Sequence, residues 1–243
     1  MIPWLNADCH FPPVTSALLD PNGLLAAGGT LSTANLIKAY RQGIFPWFSP
    51  GDPFLWWCPD PRTVLFPANL HVPRSLAKVI RNKPYEVRFD TAFSDVMRGC
   101  AGTPRPGQDG TWITSEIISA YTRLHDAGVA HSAECWMDGK LVGGLYGVAI
   151  GRMFYGESMF AHVPDASKIA FVHLVRWLDR HGFGMIDCQM HTEHLARFGS
   201  VQIARPAFID TLTRLCDQPG LPGPWQYAVS GEPEGGNALE SSE

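Results

Sequence analysis

The chain has 243 residues, a formal net charge of −4 and 45% hydrophobic residues, which is ample material for a folded core. It contains no run of about 18 apolar residues, so we expect no transmembrane helix. The first residues lack the basic region and apolar run of a secretory signal. Six cysteines are scattered without a Cys-x-x-Cys pair, which is typical of reduced thiols. These features predict a cytoplasmic protein.

The end of the chain, residues 228–243, differs in composition from the rest. It is rich in Gly, Ser and Glu and has no basic residue, which is typical of disorder. Its four glutamates account for the whole net charge of −4, so the rest of the chain is electrically balanced. The negative total therefore does not exclude a nucleic-acid partner. We predict a small N-terminal domain over residues 1–65, a larger domain over 66–227 and a disordered acidic tail over 228–243.

The first 65 residues are dense in Pro, Gly and Trp. They contain one clear helical pattern, over residues 32–42, which ends at Gly43. The turns and aromatic residues around this helix indicate a small domain that packs on a neighbour.

The larger domain has the pattern of an α+β fold. Asp138-Gly139 lies between two alternating runs and favours a tight hairpin turn. Asp165 is predicted to cap a long amphipathic helix that ends before Gly182. The predicted elements are helices at 73–82 and 115–127, strands at 130–137, 140–150 and 153–160, the long helix, a strand at 185–189, a short helix near His194, and a helix at 206–217. A meander followed by helix, strand and helix is the order of the GNAT-type acyltransferases, so we predict a GNAT-like domain by analogy.

Three polar residues stand out on the predicted strands. Glu157 lies among apolar and aromatic neighbours, where a carboxylate is costly unless it is paired. It is either a structural partner of an Arg or backbone amide, or a carboxylate kept for a substrate cation. Asp187 and Gln189 are two residues apart and should project from the same face of their strand. Asp187 could then fix the Gln189 amide, although a polar pair at the end of a sheet is an equal alternative.

Other chemistries find less support. Cys188, His191 and His194 have a spacing that three zinc ligands could use, but Cys188 would face away from Asp187 and Gln189, and no fourth ligand stands out. No dinucleotide fingerprint or Walker A loop is present. GNAT-type acetyltransferases hold coenzyme A with a glycine-rich loop at the start of the long helix. Residues 164–168 contain no glycine here, which argues against that cofactor.

A basic stripe follows the predicted helix at 73–82. It consists of Arg74, Lys78 and Arg81 and continues to Lys83. A solvated helix face is the ordinary explanation of such a pattern. A basic stripe together with aromatic platforms such as Trp47 and Trp112 is, however, also what binds a single-stranded RNA end.

Eight short segments, in order between about residues 20 and 210, closely resemble the leucyl/phenylalanyl-tRNA–protein transferase family. They are Pro21-Asn22-Gly23-Leu24-Leu25-Ala26, Gly43-Ile44-Phe45-Pro46-Trp47-Phe48, Leu55-Trp56-Trp57, Pro59-Asp60-Pro61-Arg62, Gly110-Thr111-Trp112-Ile113-Thr114, Gly143-Gly144-Leu145-Tyr146-Gly147-Val148-Ala149, Gly156-Glu157-Ser158-Met159-Phe160 and Ile186-Asp187-Cys188-Gln189. Any one of them is weak, but eight in order are very specific.

The resemblance implies an enzyme that passes Leu, Phe or sometimes Met from aminoacyl-tRNA to proteins beginning with Lys or Arg, which marks them for degradation. It implies no metal or other cofactor. Trp47 and Trp112 would hold the terminal adenosine, with Tyr40 and Tyr121 nearby. Glu157 would bind the α-amino group of the carried amino acid, and Asp187 and Gln189 would assist the incoming amine. The predicted side-chain pocket consists of Leu145, Phe154, Met159, Phe171, Leu174, Leu178 and Ile186.

Two departures from the family pattern concern the acceptor side. Thr192 stands where an Asn is common, and Ala161-His162 replaces the usual Ser-Arg. An RNA-binding module without catalysis and a small-molecule N-acetyltransferase are the alternatives. Intact Glu157, Asp187 and Gln189 argue against the first, and the missing coenzyme loop argues against the second. We expect a monomer.

Overall fold

A computed structural model describes residues 2–103 and 111–231 of the chain, and these form a small N-terminal domain and a larger α+β domain. The small domain contains β1 (Trp4–Leu5), β2 (Leu24–Gly28), α1 (Thr33–Tyr40), β3 (Phe45–Pro46) and β4 (Leu55–Trp57). Its strands lie in the order β1-β2-β4-β3. The Ser32 hydroxyl accepts the Asn35 N–H at 3.2 Å and so starts helix α1 close to where the sequence predicts it.

The larger domain is organised around an eight-stranded sheet with the strand order β11-β5-β10-β9-β8-β7-β6-β12. In chain order its elements are β5 (Arg62–Leu65), α2 (Arg74–Asn82), β6 (Tyr85–Phe89), α3 (Phe93–Ala101), α4 (Ser115–Asp126), β7 (Ala130–Met137), β8 (Lys140–Ile150), β9 (Met153–Ala161), α5 (Ala166–Arg180), β10 (Met185–Gln189), α6 (Glu193–Ala196), β11 (Val201–Ile203), α7 (Arg205–Cys216) and β12 (Ala228–Gly231). Helix α5 packs on β7 and β8, while α3 packs on β8 and β9. Buried apolar residues form two clusters, and the small domain contributes to the one that contains α3 and α4. Within the described residues, no helix is long and apolar enough to cross a membrane.

The hairpin of β7 and β8 confirms the prediction from Asp138-Gly139. Both turn residues have positive φ, 51° for Asp138 and 70° for Gly139, as a tight hairpin turn of this kind requires. The predicted bounds of the two strands agree with the observed ones. This local turn therefore fixes the register in the middle of the sheet.

Helix α5 lies directly on the sheet at its beginning. A Cβ atom at Gly143 of β8 would come within 2.6 Å of the Ala166 Cβ, so only glycine permits this approach. Asp165 precedes the helix with φ 72°, and its carboxylate accepts from Lys168 Nζ at 2.8 Å rather than from a backbone N–H. The predicted side-chain cap by Asp165 is therefore wrong, although the helix itself is confirmed.

Two predicted domain limits differ from the structure. β5 pairs with β10 and β11, so residues 62–65 belong to the large sheet and not to the small domain. Ala228–Gly231 was assigned to a disordered tail, but it pairs with β6 as β12, because the free edge of β6 offers backbone hydrogen bonds. The rest of the predicted tail, residues 232–243, lies outside the described residues. The GNAT-like arrangement of the larger domain stays a prediction.

Candidate active site

The main candidate site is a cavity of about 420 Å³ at the junction of the two domains. The small domain contributes Phe45, Pro46 and Trp47 to its wall. The larger domain contributes residues of β8, β9, β10, α5 and α6 and of the connections before α4 and α6. They are Trp112, Leu145, Phe154, Gly156, Glu157, Ser158, Met159, Phe171, Leu174, Ile186, Cys188, Gln189, Met190, Thr192, His194 and Leu195. The wall is predominantly apolar, with few polar groups.

The apolar part of the wall follows from the register of the sheet. Leu145 lies opposite Met159 in the β8–β9 pairing, and Phe154 lies opposite Ile186 in the β9–β10 pairing. Phe171 and Leu174, three residues apart on α5, add to the same wall because residues at this spacing share a helix face. Six of the seven residues predicted for the side-chain pocket therefore line one cavity.

Leu178 is the seventh, and it does not line the cavity. It is fully buried on α5 in the apolar cluster between this helix and the sheet. Its position one turn beyond Leu174 places it deeper along the helix than the cavity extends. The prediction that Leu178 belongs to the pocket is wrong.

Glu157 of β9 is held by Tyr40 and Tyr121, which the family resemblance implied to lie near the terminal adenosine. Tyr40 donates to Glu157 Oε1 at 2.8 Å, and Tyr121 donates to Oε2 at 3.2 Å. The two phenolic oxygens also contact each other directly. Both tyrosine side chains are buried and lie behind Glu157, so they do not reach the cavity wall themselves.

Two phenolic protons cannot supply all three hydrogen bonds of this triad while Glu157 is ionised. A protonated carboxyl group supplies the third, and it then donates to one tyrosine instead of accepting from both. Burial raises the pKa of Glu157 to about 7, against the lowering effect of the Tyr40 hydrogen bond. Burial also raises the pKa of Tyr40 and of Tyr121 well above the usual range, so both remain donors. A cation that enters the cavity would favour the charged carboxylate.

Asp187 lies on the far side of β10 from the cavity and is not part of its wall. Its carboxylate forms two bonds with the Arg62 guanidinium, Nε to Oδ1 at 2.7 Å and Nη2 to Oδ2 at 2.6 Å. The exposed fraction of the side chain is 1% for Arg62 and 0% for Asp187. Burial lowers the pKa of Arg62, but the charge and hydrogen bonds of Asp187 together outweigh that effect and raise it. Removing one member of such a pair typically costs about 3–5 kcal/mol of stability.

Gln189 reaches the cavity because the strand does not alternate regularly at its end. Gln189 has φ 56°, and the β5–β10 register shifts between Asp187 and Gln189. As a result, Cys188 and Gln189 both face the cavity. The prediction that Asp187 and Gln189 share a face, with Cys188 opposite, is wrong. Asp187 Oδ1 accepts the backbone N–H of Gln189 at 2.9 Å, while the buried Nε2 of Gln189 has no partner among the described residues.

The other titratable groups of this segment have shifted pKa values. Burial raises the pKa of the Cys188 thiol and lowers the pKa of His194. Cys188 is therefore a thiol and His194 a neutral imidazole at pH 7. His191 points to solvent and lies near Glu193. In the part of the chain that the structure describes, no three His, Cys, Asp or Glu residues come together to hold a metal ion.

Trp47 and Trp112 form part of the cavity wall from two different parts of the chain. Each is partly exposed, so an aromatic face remains accessible to a ligand. The Trp47 ring packs edge-on against Trp57, with the ring centroids 5.5 Å apart, and the Trp47 carbonyl accepts from Trp57 Nε1 at 2.6 Å. This packing fixes the position of the Trp47 backbone at the domain junction.

The basic stripe lies outside the cavity. Arg74, Lys78 and Arg81 are exposed on α2, and Lys83 is partly exposed after the helix ends. Leu76 is buried on the opposite face of α2. The structure thus brings the three helical cations to one accessible surface.

Sequence reasoning missed several residues of the site. Phe45, Met190 and Leu195 line the cavity, and Arg62 holds Asp187 behind it. Arg62 was noticed only as part of a motif. The signal that could have found it is an arginine, which is always charged, at the start of the short run Arg62–Leu65, where a buried position requires a partner of opposite charge.

The fold and the cavity together define an α+β protein with a ligand-binding site between a small and a large domain. Residues 64–213 match the family model described as leucyl/phenylalanyl-tRNA protein transferase, and residues 29–60 match the N-terminal domain model of the same family. The chain therefore belongs to the leucyl/phenylalanyl-tRNA–protein transferase family, whose members are aminoacyltransferases.

Curated relatives carry the same name. The protein of Laribacter hongkongensis is 58% identical over 96% of this chain and 100% of its own length. The protein of Chromobacterium violaceum is 60% identical over 93% of this chain and 97% of its own length. The protein of Thiobacillus denitrificans is 61% identical over 93% of this chain and 98% of its own length. Each is called a leucyl/phenylalanyl-tRNA–protein transferase.

Proposed function

We propose that this chain moves leucine or phenylalanine, and less often methionine, from a charged tRNA to the N-terminus of proteins that begin with Lys or Arg. The observation that carries this proposal is an apolar cavity to whose wall the described residues contribute a single carboxylate, Glu157. An aminoacyl ester presents one ammonium group and one side chain, and the cavity offers a partner for each. Transfer would mark the acceptor protein for degradation.

The apolar wall supports selection of apolar side chains that are not branched at Cβ, such as those of leucine and phenylalanine. Leu145, Met159 and Leu174 surround a space that accepts a leucyl or phenylalanyl group by removal of apolar surface from water. A difference of one methylene is worth only about 1–3 kcal/mol in such a pocket. Some transfer of methionine is therefore expected beside leucine and phenylalanine.

Glu157 supports recognition of the α-ammonium group. The tyrosine hydroxyls hold both carboxylate oxygens from behind, which leaves the open side of Glu157 toward the cavity. Binding of an ammonium group would favour the ionised carboxylate through the attraction of opposite charges. An N-acylated amino acid lacks that charge and should be a poor substrate.

Trp47 and Trp112 support binding of the terminal adenosine of the tRNA. Their faces lie at the wall of the same cavity, and stacking of a base on an aromatic side chain is worth about 1–3 kcal/mol. The ester bond to the ribose would then lie between this adenosine and the Glu157 carboxyl group. Exposed Arg74, Lys78 and Arg81, with Lys83, would contact phosphates farther along the tRNA.

The reaction is aminolysis of an activated ester. The neutral amine of the acceptor forms a bond to the ester carbonyl carbon, the bond from that carbon to the ribose oxygen breaks, and the amine proton goes to the departing ribose oxygen, directly or through a water. An N-terminal amine has a pKa of about 7.7–8.0, so a useful minority is neutral at pH 7. Holding the reactants together can contribute roughly 7–11 kcal/mol. Gln189 is not basic and would act by orientation, with Oε1 toward the amine and the unpaired Nε2 toward the ester.

We infer that the protein acts as a monomer in the cytoplasm. It needs no metal or other cofactor for the transfer, because the aminoacyl ester is already activated. The preference for acceptors with N-terminal Lys or Arg rests on the family resemblance.

The test mixes the purified protein with radiolabelled Leu-tRNA and a protein that begins with Arg, without ATP or ribosomes. A matched acceptor that begins with Gly is the control. Label should pass to the first acceptor and not to the second. Binding of charged tRNA without transfer would instead favour an RNA-binding module.

A further inference from the structure

The Arg62 guanidinium is enclosed on all sides at the boundary of the two domains. It lies over the Phe45 ring of the small domain at 4.8 Å and over the Phe208 ring of α7 at 4.5 Å. Two of its nitrogens bind Asp187. Phe45 also lines the cavity, so one side chain connects a cavity wall, helix α7 and strand β10.

Asp187 connects Arg62 to Gln189 through hydrogen bonds. Asp187 Oδ1 receives both Arg62 Nε and the Gln189 N–H, at 2.7 and 2.9 Å. The backbone of Gln189 has a left-handed conformation, which residues other than glycine rarely adopt. Such strain persists only where the surroundings hold it in place. The hydrogen bond from Gln189 to a carboxylate that Arg62 clamps is the contact that does so.

We propose that Arg62 is a positioning residue of the transfer reaction, which holds Gln189 in the cavity through Asp187. This inference rests on the proposed function and names the residue that sets the geometry of that site. It also assigns Asp187 the task of binding a backbone N–H, because Asp187 is fully buried and does not line the cavity. Arg62 itself touches neither the cavity nor a substrate.

Arg62→Lys is the first test, because lysine keeps the charge but cannot form two parallel bonds to a carboxylate. We expect kcat for leucine transfer to fall about 100-fold, the order of loss that a misplacement near 1 Å causes. KM for Leu-tRNA and binding of puromycin, which mimics an aminoacyl adenosine, should stay the same. Arg98→Lys is the matched control, since the Arg98 ion pair with Asp95 is exposed, and it should transfer like the wild type. Failure of the wild type itself to transfer leucine would concern the proposed function and not Arg62.

A double variant separates positioning from general damage. If Arg62 acts through Gln189, Arg62→Lys combined with Gln189→Ala should be no slower than Gln189→Ala alone. If the two losses multiply, or if Arg62→Lys retains the wild-type kcat, the proposal is overturned.

If Arg62→Lys does not fold, a variant in which both members of the Arg62–Asp187 pair are neutral tests the proposal. Arg62→Met with Asp187→Asn leaves no unpaired buried charge, and the Asn Oδ1 can still accept the Gln189 N–H. We expect this variant to fold and to transfer leucine more slowly than the wild type, because the Asn Oδ1 is no longer clamped by Arg62, but no more slowly than Gln189→Ala. A folded neutral pair that transfers leucine at the wild-type rate would contradict the proposal.

Discussion

The hydroxyl of Tyr40 lies 2.8 Å from Oε1 of Glu157, although 117 positions separate the two residues in the chain. Tyr40 ends helix α1 of the small domain, and Glu157 lies on β9 of the large sheet. The contact therefore joins the two domains at the carboxyl group that faces the cavity. It makes the ionisation of Glu157 depend on how the small domain is placed.

Glu157→Gln should abolish most of the transfer while the protein remains folded. An amide keeps the shape and accepts from one tyrosine, but it cannot balance the ammonium charge of the carried amino acid. Single-turnover transfer from Leu-tRNA and the circular dichroism of the variant are the measurements. Near-normal transfer in a well-folded variant would show that the carboxylate is structural only.

The stability of the protein should fall as the pH rises through about 7, in part because of Glu157. Its pKa is raised from 4.5 to about 7 in the folded state, so the folded protein binds a proton that the unfolded chain has released. This contribution is fully present below pH 4.5 and is lost above pH 7. Glu157→Gln cannot titrate there, so its melting temperature relative to the wild type should increase between pH 5 and pH 8. A difference independent of pH would mean that the Glu157 pKa is ordinary.

Asp187→Asn should slow transfer at every pH. Asp187 is fully buried, paired with Arg62 and absent from the cavity wall, so a substrate proton does not reach it. The variant leaves the Arg62 charge without its partner and disturbs the hold on Gln189. The measurement is single-turnover transfer between about pH 6 and 9.5, corrected for spontaneous ester hydrolysis. Recovery to nearly the wild-type rate at alkaline pH would instead indicate that Asp187 removes a proton.

Leu174→Ala should change the selection of amino acids, because Leu174 forms part of the cavity wall. We expect the rate of phenylalanine transfer relative to leucine to increase. Leu178→Ala is the matched control, since Leu178 is equally buried on α5 but does not line the cavity. Both variants should lose about 2–5 kcal/mol of stability. An equal change of selectivity in both would mean that the effect comes from loosening of the helix.

Changing Arg74, Lys78 and Arg81 together to Glu should weaken tRNA binding and flatten its dependence on salt. Each lost phosphate contact removes roughly one unit from the slope of log K against log salt concentration. Puromycin is too short to reach α2 and should bind as before. If puromycin weakens to the same degree, the stripe does not contact the distal tRNA.

Local signals in the sequence predicted the middle of the sheet well. The β7–β8 hairpin depends on two adjacent residues, Asp138 and Gly139, and its bounds were confirmed. In contrast, β6 and α3 were not predicted, although Tyr85, Val87 and Phe89 alternate as a half-buried strand should. β6 is short, and its pairing with β7 and β12 joins distant parts of the chain.

Most residues of the apolar cavity wall had been named from the sequence, but the contacts that hold the polar residues had not. The residues came from resemblance, whereas the Arg62–Asp187 pair links positions 125 residues apart. Strict alternation along β10 predicted that Gln189 shares a face with Asp187, but the positive φ of Gln189, which depends on tertiary contacts, turns it to the cavity. Leu178 fits the apolar pattern of α5 as well as Leu174 does, and only the end of the cavity separates them.

The division of the cavity wall between two domains has an evolutionary consequence. Phe45, Pro46 and Trp47 are encoded upstream of β5, and every other wall residue is encoded downstream of it. Recombination between related genes near codon 60 would exchange one side of the pocket and leave the other. Substrate preference would then be inherited from both parents, so compatibility of the two halves constrains how freely such genes can exchange segments.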